Sequence, residues 1–204
     1  NMLINGIVVL AGDQVFIALV LTMVCCIVLG MGVPTTATYC IMAATCAPIL
    51  IRMGVPTIAA HFFVFYFGIV ADLTPPVALA AYAGAAIAQA SPMKTAITAT
   101  KLAVAAFIVP YVFALNPALL FVDTNLWGVI SISITAFIGI FAVSASLEGY
   151  LYTHMSWYQR LICCAGGLML IFPGTVTDVG GILLVGAVFA MQYLGGKKLG
   201  AVKA

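Results

Sequence analysis

The chain is 204 residues long, 65% hydrophobic and only 6% charged, with a formal net charge of +2. Soluble domains carry about a quarter charged residues, so this much apolar surface excludes a water-soluble fold and calls for a bilayer. So small a charge, with no basic run interleaved with aromatics, excludes a nucleic-acid partner. The apolar runs are continuous rather than alternating, which excludes an outer-membrane barrel and predicts an all-α membrane protein.

The chain opens on Asn1, shows no signal-peptide pattern and begins just before a helix, which reads as the C-terminal portion of a longer polypeptide. Asp13 is placed to cap a helix over about 14–29, roughly 16 residues where a bilayer needs roughly 20. A break follows at Gly30-Met31-Gly32-Val33-Pro34-Thr35-Thr36, then a second short helix over 37–50 and a polar turn at Arg52, Gly54 and Pro56. Two under-length helices joined by a tight break predict a re-entrant hairpin over about 14–50; a single broken span is the alternative.

Thr57 opens a helix to about Val70, and a second break follows at Ala71-Asp72-Leu73-Thr74-Pro75-Pro76-Val77. A helix of small residues from Leu79 to about Gln89 completes one discontinuous span over about 57–90, open to close approach by a neighbour. Ser91 to Lys94 is a polar turn. Thr95 to Leu115 is a full span that Pro110 kinks, ended by Asn116-Pro117. Leu126 to Leu147 is a second full span, followed by an amphipathic connector over 148–160 whose Tyr150, Tyr152, Trp157 and Tyr158 suit the headgroup belt. Leu161–Phe172 and Val179–Leu194 read as a closing hairpin around Pro173 to Asp178, and the tail carries Lys197, Lys198 and Lys203. Residues 1–115 thus separate from a C-terminal transmembrane extension over 116–204. If the hairpin opens on one face, Arg52 lies there alone and Lys94, Lys101, Arg160 and the tail lysines lie on the other. The positive-inside rule then has the hairpin entering from outside and the C-terminus cytoplasmic.

In lipid a Gly/Pro break strands backbone groups at several kcal/mol each, so it survives only in protein, beside a wet cavity or around an ion. Half-helices ending at Gly30 and Val70 offer carbonyls, hard oxygen ligands for sodium, and Thr35, Thr36 and Thr74 add hydroxyls. Helix N-termini near Thr36 and Val77 turn positive dipole ends toward an anion. Pro34, Pro75 and Pro76 keep the helices from closing across the gaps. Gly30, Gly32, Thr35, Thr36, Asp72, Thr74 and Pro75 are therefore the candidate ion-binding residues, and Pro34, Thr36, Thr74 and Pro76 the candidate substrate-binding ones. A simple kink is the plainer reading of either break taken alone. Asp72 is the sharpest single residue: a carboxylate at this depth costs at least ~2.5–3.5 kcal/mol. It ligates sodium, carries a proton, or caps the half-helix near Val77.

The other polar residues read plainly. His61 is an interface residue, His154 faces water, and Asp123, Glu148 and Asp178 sit at helix ends. Cys25, Cys26, Cys40, Cys46, Cys163 and Cys164 lie in apolar runs without ligand spacing. No Walker loop, H-E-x-x-H or G-x-S-x-G occurs, so neither ATP-driven nor hydrolytic chemistry finds a motif.

At its two breaks, Gly30 to Ala37 and Leu73 to Leu79, the chain resembles the large membrane subunit of the tripartite ATP-independent periplasmic (TRAP) transporters. Ala59 to Gly68, Asn116 to Leu120 and the Phe172-to-Asp178 stretch resemble the fused form, in which small and large membrane subunits are one polypeptide. The resemblance implies a secondary active importer in the cytoplasmic (inner) membrane, driven by sodium as coupling ion, without an organic cofactor. It further implies organic-acid substrates, a TAXI-type periplasmic binding protein as partner, and an elevator movement of inverted repeats. By that analogy residues 1–115 are the second half of the transport core. The first repeat would lie in an N-terminal membrane portion outside this sequence, so this chain alone would hold half the binding site. A binding-protein-independent sodium/dicarboxylate carrier and a non-transporting membrane scaffold are the rival readings.

Overall fold

A computed structural model of the chain describes residues 6, 11, 12, 14–122, 124–172 and 174–202, with side chains as far as residue 194. Among the described residues all regular elements are helices, because in lipid only a helix or a closed barrel satisfies its own N–H and C=O groups. Among the described residues, Pro92–Leu115, Leu126–Glu148 and Thr175–Leu194 are long and apolar enough to cross a bilayer. Val15–Gly30, Thr57–Leu73 and Trp157–Ile171 are apolar but shorter. The protein is an all-α, polytopic membrane protein. Contacts divide it into two units, Asn1–Leu120 and Phe121–Ala204.

In the first unit, α1 (Val15–Gly30) and α2 (Thr35–Thr45) flank a four-residue turn, and α3 (Ala47–Arg52) continues the return arm. The two arms lie side by side, with Ile49 packed on Leu21 and Cys25. The expected continuous helix over 37–50 is instead interrupted at Cys46. Pro48 has no N–H for the Ala44 carbonyl and its ring crowds that turn, so the helix stops and restarts with Pro48 in its first turn. Gln14 precedes α1 without a side-chain cap, and Asp13 lies outside the described residues.

Next, α4 (Thr57–Val70) runs into a 3-10 turn, Ala71–Leu73, and an irregular stretch leads to α5 (Leu79–Ile87). Pro92 opens α6 (Pro92–Ala103), so the polar turn expected at 91–94 shrinks toward Ser91, proline being favoured at a first helical position. The kink expected at Pro110 is spread over a 3-10 stretch, Val104–Ile108, before α7 (Val109–Leu115). A proline cannot donate to the carbonyl four residues back, so the preceding turn tightens to shorter bonds. A last 3-10 turn, Pro117–Leu120, ends the unit.

Phe63 and Phe67 are fully buried at the centre of this unit, edge-on at 4.8 Å, with the Tyr111 ring 5.4 and 6.0 Å away. The Tyr111 hydroxyl donates to Met23 Sδ at 3.1 Å, tying α7 to α1. Lipid tails are as apolar as phenylalanine, so packing and interhelical bonds hold this core rather than exclusion from water.

The second unit has α8 (Leu126–Glu148), α9 (Trp157–Ile171) and α10 (Thr175–Val202). The expected amphipathic connector over 148–160 is a short loop instead. Glu148 ends α8, Gly149 turns the chain at φ +76°, and Trp157 to Arg160 form the first turn of α9. Arg160 folds back onto α8, donating from Nε to the Ser146 carbonyl and from Nη2 to the Leu147 carbonyl, each at 2.7 Å. A cation on a helix C-terminus satisfies orphan carbonyls and meets the negative dipole end. The closing pair likewise starts earlier than expected, at Trp157 and Thr175. Asp123, Pro173, Lys203 and the side chains of Lys197 and Lys198 lie outside the description.

Helix α9 packs on α8 through facing glycines: a Cβ on Gly139 or on Gly167 would lie 2.8 Å from the other's carbonyl oxygen. Overpacking such a contact costs about 1–3 kcal/mol. Gly167→Ala is therefore expected to lower the melting temperature of the protein in detergent. Gly186→Ala, with nothing within 4 Å of its new methyl, is expected to leave it unchanged.

Candidate functional site

Each break is built from local chemistry. At the first, Gly32 turns at φ +75°, a conformation glycine adopts without a Cβ penalty. Pro34, at φ −56° and ψ 141°, then sets the entry to α2. Thr38, buried one turn inside α2, donates from Oγ1 to the Val33 carbonyl at 3.1 Å and so holds the tip closed. At the second, α4 tightens into the 3-10 turn that carries Asp72, and the chain re-enters a helix only after Ala78, at φ 31° and ψ 49°.

The freed carbonyls of the second break are met by hydroxyls. Thr74 Oγ1 donates to Val70 O at 3.0 Å, Thr100 Oγ1 on α6 reaches Leu73 O at 3.0 Å, and the Tyr82 hydroxyl on α5 donates to Pro76 O. The carbonyl expected to stand free at Val70 is thus bonded, although a carbonyl oxygen keeps a second lone pair for another partner. At the first break, Gly30 O accepts from Val33 N at 3.4 Å.

The two breaks touch. A Cβ on Gly30 would lie 2.9 Å from Ala71 Cβ and 3.1 Å from the Gly68 carbonyl oxygen, and one on Gly32 would lie 3.5 Å from Val77 Cγ1. A Cβ on Gly68 would lie 3.0 Å from Thr38 Cγ2, so α4 also runs hard against α2. The C-terminal ends of α1 and α4 therefore meet beside Asp72. Two negative dipole ends and a carboxylate in one place favour a cation. The donors at hand are carbonyl, hydroxyl and carboxylate oxygens, which suit a hard ion such as sodium.

Of the expected ion-binding residues, Gly30 and Gly32 face the second break directly, at Ala71 and Val77, whereas Asp72, Thr74 and Pro75 lie between those two contact points in the chain. Asp72, Thr74 and Pro75 are half-buried, whereas Gly32, Pro34, Thr35, Thr36 and Pro76 are exposed, so the junction has an open polar side. Among the described residues, no hydrogen bond joins Thr35 or Thr36 to the second break. The helix starts also shift, from near Thr36 and Val77 to Thr35 and Leu79. Asp72 does not cap α5: the residue before that helix is Ala78, with no side-chain cap. That removes capping from the readings of this carboxylate.

Thr38, Tyr82 and Thr100 were not among the residues expected from sequence. A Thr four residues after Pro34 is a readable signal, but nothing local points Thr100 at Leu73, 27 residues away. His61, expected at headgroup level, bonds through Nδ1 with the Tyr39 hydroxyl at 3.1 Å and so belongs to the contact between α4 and α2. Asp178 lies in the first turn of α10, where a carboxylate complements the dipole.

Residues 2–127 match a family model, described as the tripartite ATP-independent periplasmic transporter, DctM component. The match covers both breaks and ends just inside α8. No curated protein and no solved structure matches the chain.

Proposed function

The chain belongs to the DctM family, a membrane component of the tripartite ATP-independent periplasmic transporters, and from that premise we propose that it couples sodium to the import of organic acids. This is a family of transporter components, not of enzymes. In general its members work with a periplasmic binding protein and a small membrane subunit. The observation that carries the sodium reading is the junction itself: two helix C-termini meeting beside Asp72, among hydroxyl and carbonyl oxygens. The N-terminus of α2 at Thr35 and the exposed Pro34, Thr36, Thr74 side of the junction would receive the substrate carboxylate.

On this reading α1 to α3 form a re-entrant hairpin, since α1 spans about 24 Å at 1.5 Å per residue, short of the roughly 30 Å hydrocarbon core. Lys94 and Lys101 of the first unit and Arg160 of the second mark cytoplasmic ends in the inner membrane. The stretches 59–68 and 116–120 support the fused form with a TAXI-type binding protein, with the inverted partner of this half-site supplied by the rest of the transporter. Specificity would be shared with both.

The test is uptake by the assembled transporter in proteoliposomes, with binding protein outside and labelled dicarboxylates and amino acids as substrates. Uptake that needs both an inward sodium gradient and the binding protein is the expected result. Uptake without binding protein would mean an independent carrier, and uptake on a proton gradient alone would recast Asp72 as a proton carrier. No uptake by folded protein would leave a scaffold.

A further inference from the structure

Three hydroxyls meet three carbonyls of the second break at a spacing of three residues: Thr74 on Val70, Thr100 on Leu73 and Tyr82 on Pro76. They stand in for the helical N–H donors that these carbonyls lose where the chain leaves the helix. The three are not equivalent. Thr74 and Tyr82 each have a single acceptor, whereas Thr100 Oγ1 lies 3.0 Å from Leu73 O and 2.9 Å from Ala96 O, its own helix's carbonyl. A threonine hydroxyl has one proton, so it serves one of those acceptors at a time. Turning to Ala96 costs Thr100 nothing in hydrogen bonds, yet it bares the Leu73 carbonyl, next to Asp72.

We propose that the Leu73 carbonyl is a gated cation ligand and that the Thr100 hydroxyl is the group that gates it. Without the ion, Thr100 covers Leu73 O, so the break does not hold an orphan carbonyl in a low-dielectric site. When a cation arrives beside Asp72, the hydroxyl moves to Ala96 O and the carbonyl turns to the ion. Thr100 is on α6, so the exchange reports ion occupancy to a helix outside the break. The ligand class is a hard monovalent cation, because the donors are neutral oxygens around one carboxylate. Thr100 is a positioning residue that competes with the ion rather than binding it.

This inference rests on the sodium reading above, and the experiment keeps the two apart. Sodium-dependent uptake and sodium-dependent thermal stabilisation are measured on the assembled transporter carrying wild type, Thr100→Val, Thr100→Ala or Thr100→Ser. If wild type responds to sodium in neither assay, the sodium reading itself falls. If wild type responds, removal of the competing hydroxyl in Thr100→Val is expected to lower the half-saturating sodium concentration about three- to tenfold, the scale of one hydrogen bond. Maximal uptake should fall with it, because the ion leaves more slowly. Thr100→Ser, which keeps the hydroxyl, is expected to behave as wild type. Thr100→Ala carries the same expectation as valine and decides the matter if valine fails to fold. An unchanged or raised half-saturating concentration in both hydroxyl-free variants overturns the proposal, even where their melting temperature drops.

Discussion

Asp72→Asn is expected to raise the half-saturating sodium concentration for uptake about ten- to hundredfold, since a contact to a charged group is worth roughly 1.5–3 kcal/mol. Thermal stability should move the other way. Among the described residues Asp72 has no hydrogen bond or ion pair, and it caps no helix. Its charge also lies at the negative end of α4. An uncompensated carboxylate at this depth is costly without an ion, so the amide should melt higher than wild type in sodium-free buffer. Added sodium should then stabilise wild type, by about 2.7 kcal/mol at a hundredfold excess over Kd, and leave the variant nearly unmoved. Melting curves with and without sodium, choline replacing it, separate this from a structural role. Equal sodium shifts in the two proteins would sink Asp72 as an ion ligand.

The second large effect is steric. Gly30 lies against the second break, and a side chain there would meet Ala71 Cβ at 2.9 Å and the Gly68 backbone oxygen at 3.1 Å. The backbone cannot swing aside as a flexible side chain can. Gly30→Val is expected to part the two breaks and to abolish sodium-dependent uptake, with the protein still inserted in the membrane. Gly30→Ala should lose about 1–3 kcal/mol of stability and most of the uptake. Ala71→Gly removes the methyl that Gly30→Ala would strike, so the double variant should recover much of what the single one loses. That non-additivity, read as a double-mutant cycle, is the signature of direct contact. Additive losses would place the damage elsewhere than at the junction.

Much of the local structure was legible in the sequence. Helix α4 begins at Thr57 and ends at Val70 as expected, because Pro56 sets its entry and the run between is apolar throughout. Both breaks fall where Gly and Pro interrupt apolar runs, for the same reason: these residues act on their own backbone, whatever surrounds them. Pro48 was equally local, yet it hides in an apolar run and splits the return arm at Cys46. Pro110 announced a kink, but not the 3-10 stretch that spreads it over Val104–Ile108.

Composition and the order of breakers along the chain, by themselves, determined that this protein is helical, lives in a bilayer and carries two breaks between apolar helices. Each of those properties follows from how single residues and short runs partition between water, lipid and helix. Tertiary structure alone decided that the two interruptions touch, that Asp72 lies at a meeting of helix C-termini rather than at a cap, and that Thr100 satisfies the freed Leu73 carbonyl. Those outcomes depend on which face of a helix meets which neighbour. Small residues at Gly30, Gly68 and Ala71 permit the close approach, and a hydroxyl bonds whatever carbonyl the packing brings within 3 Å of it.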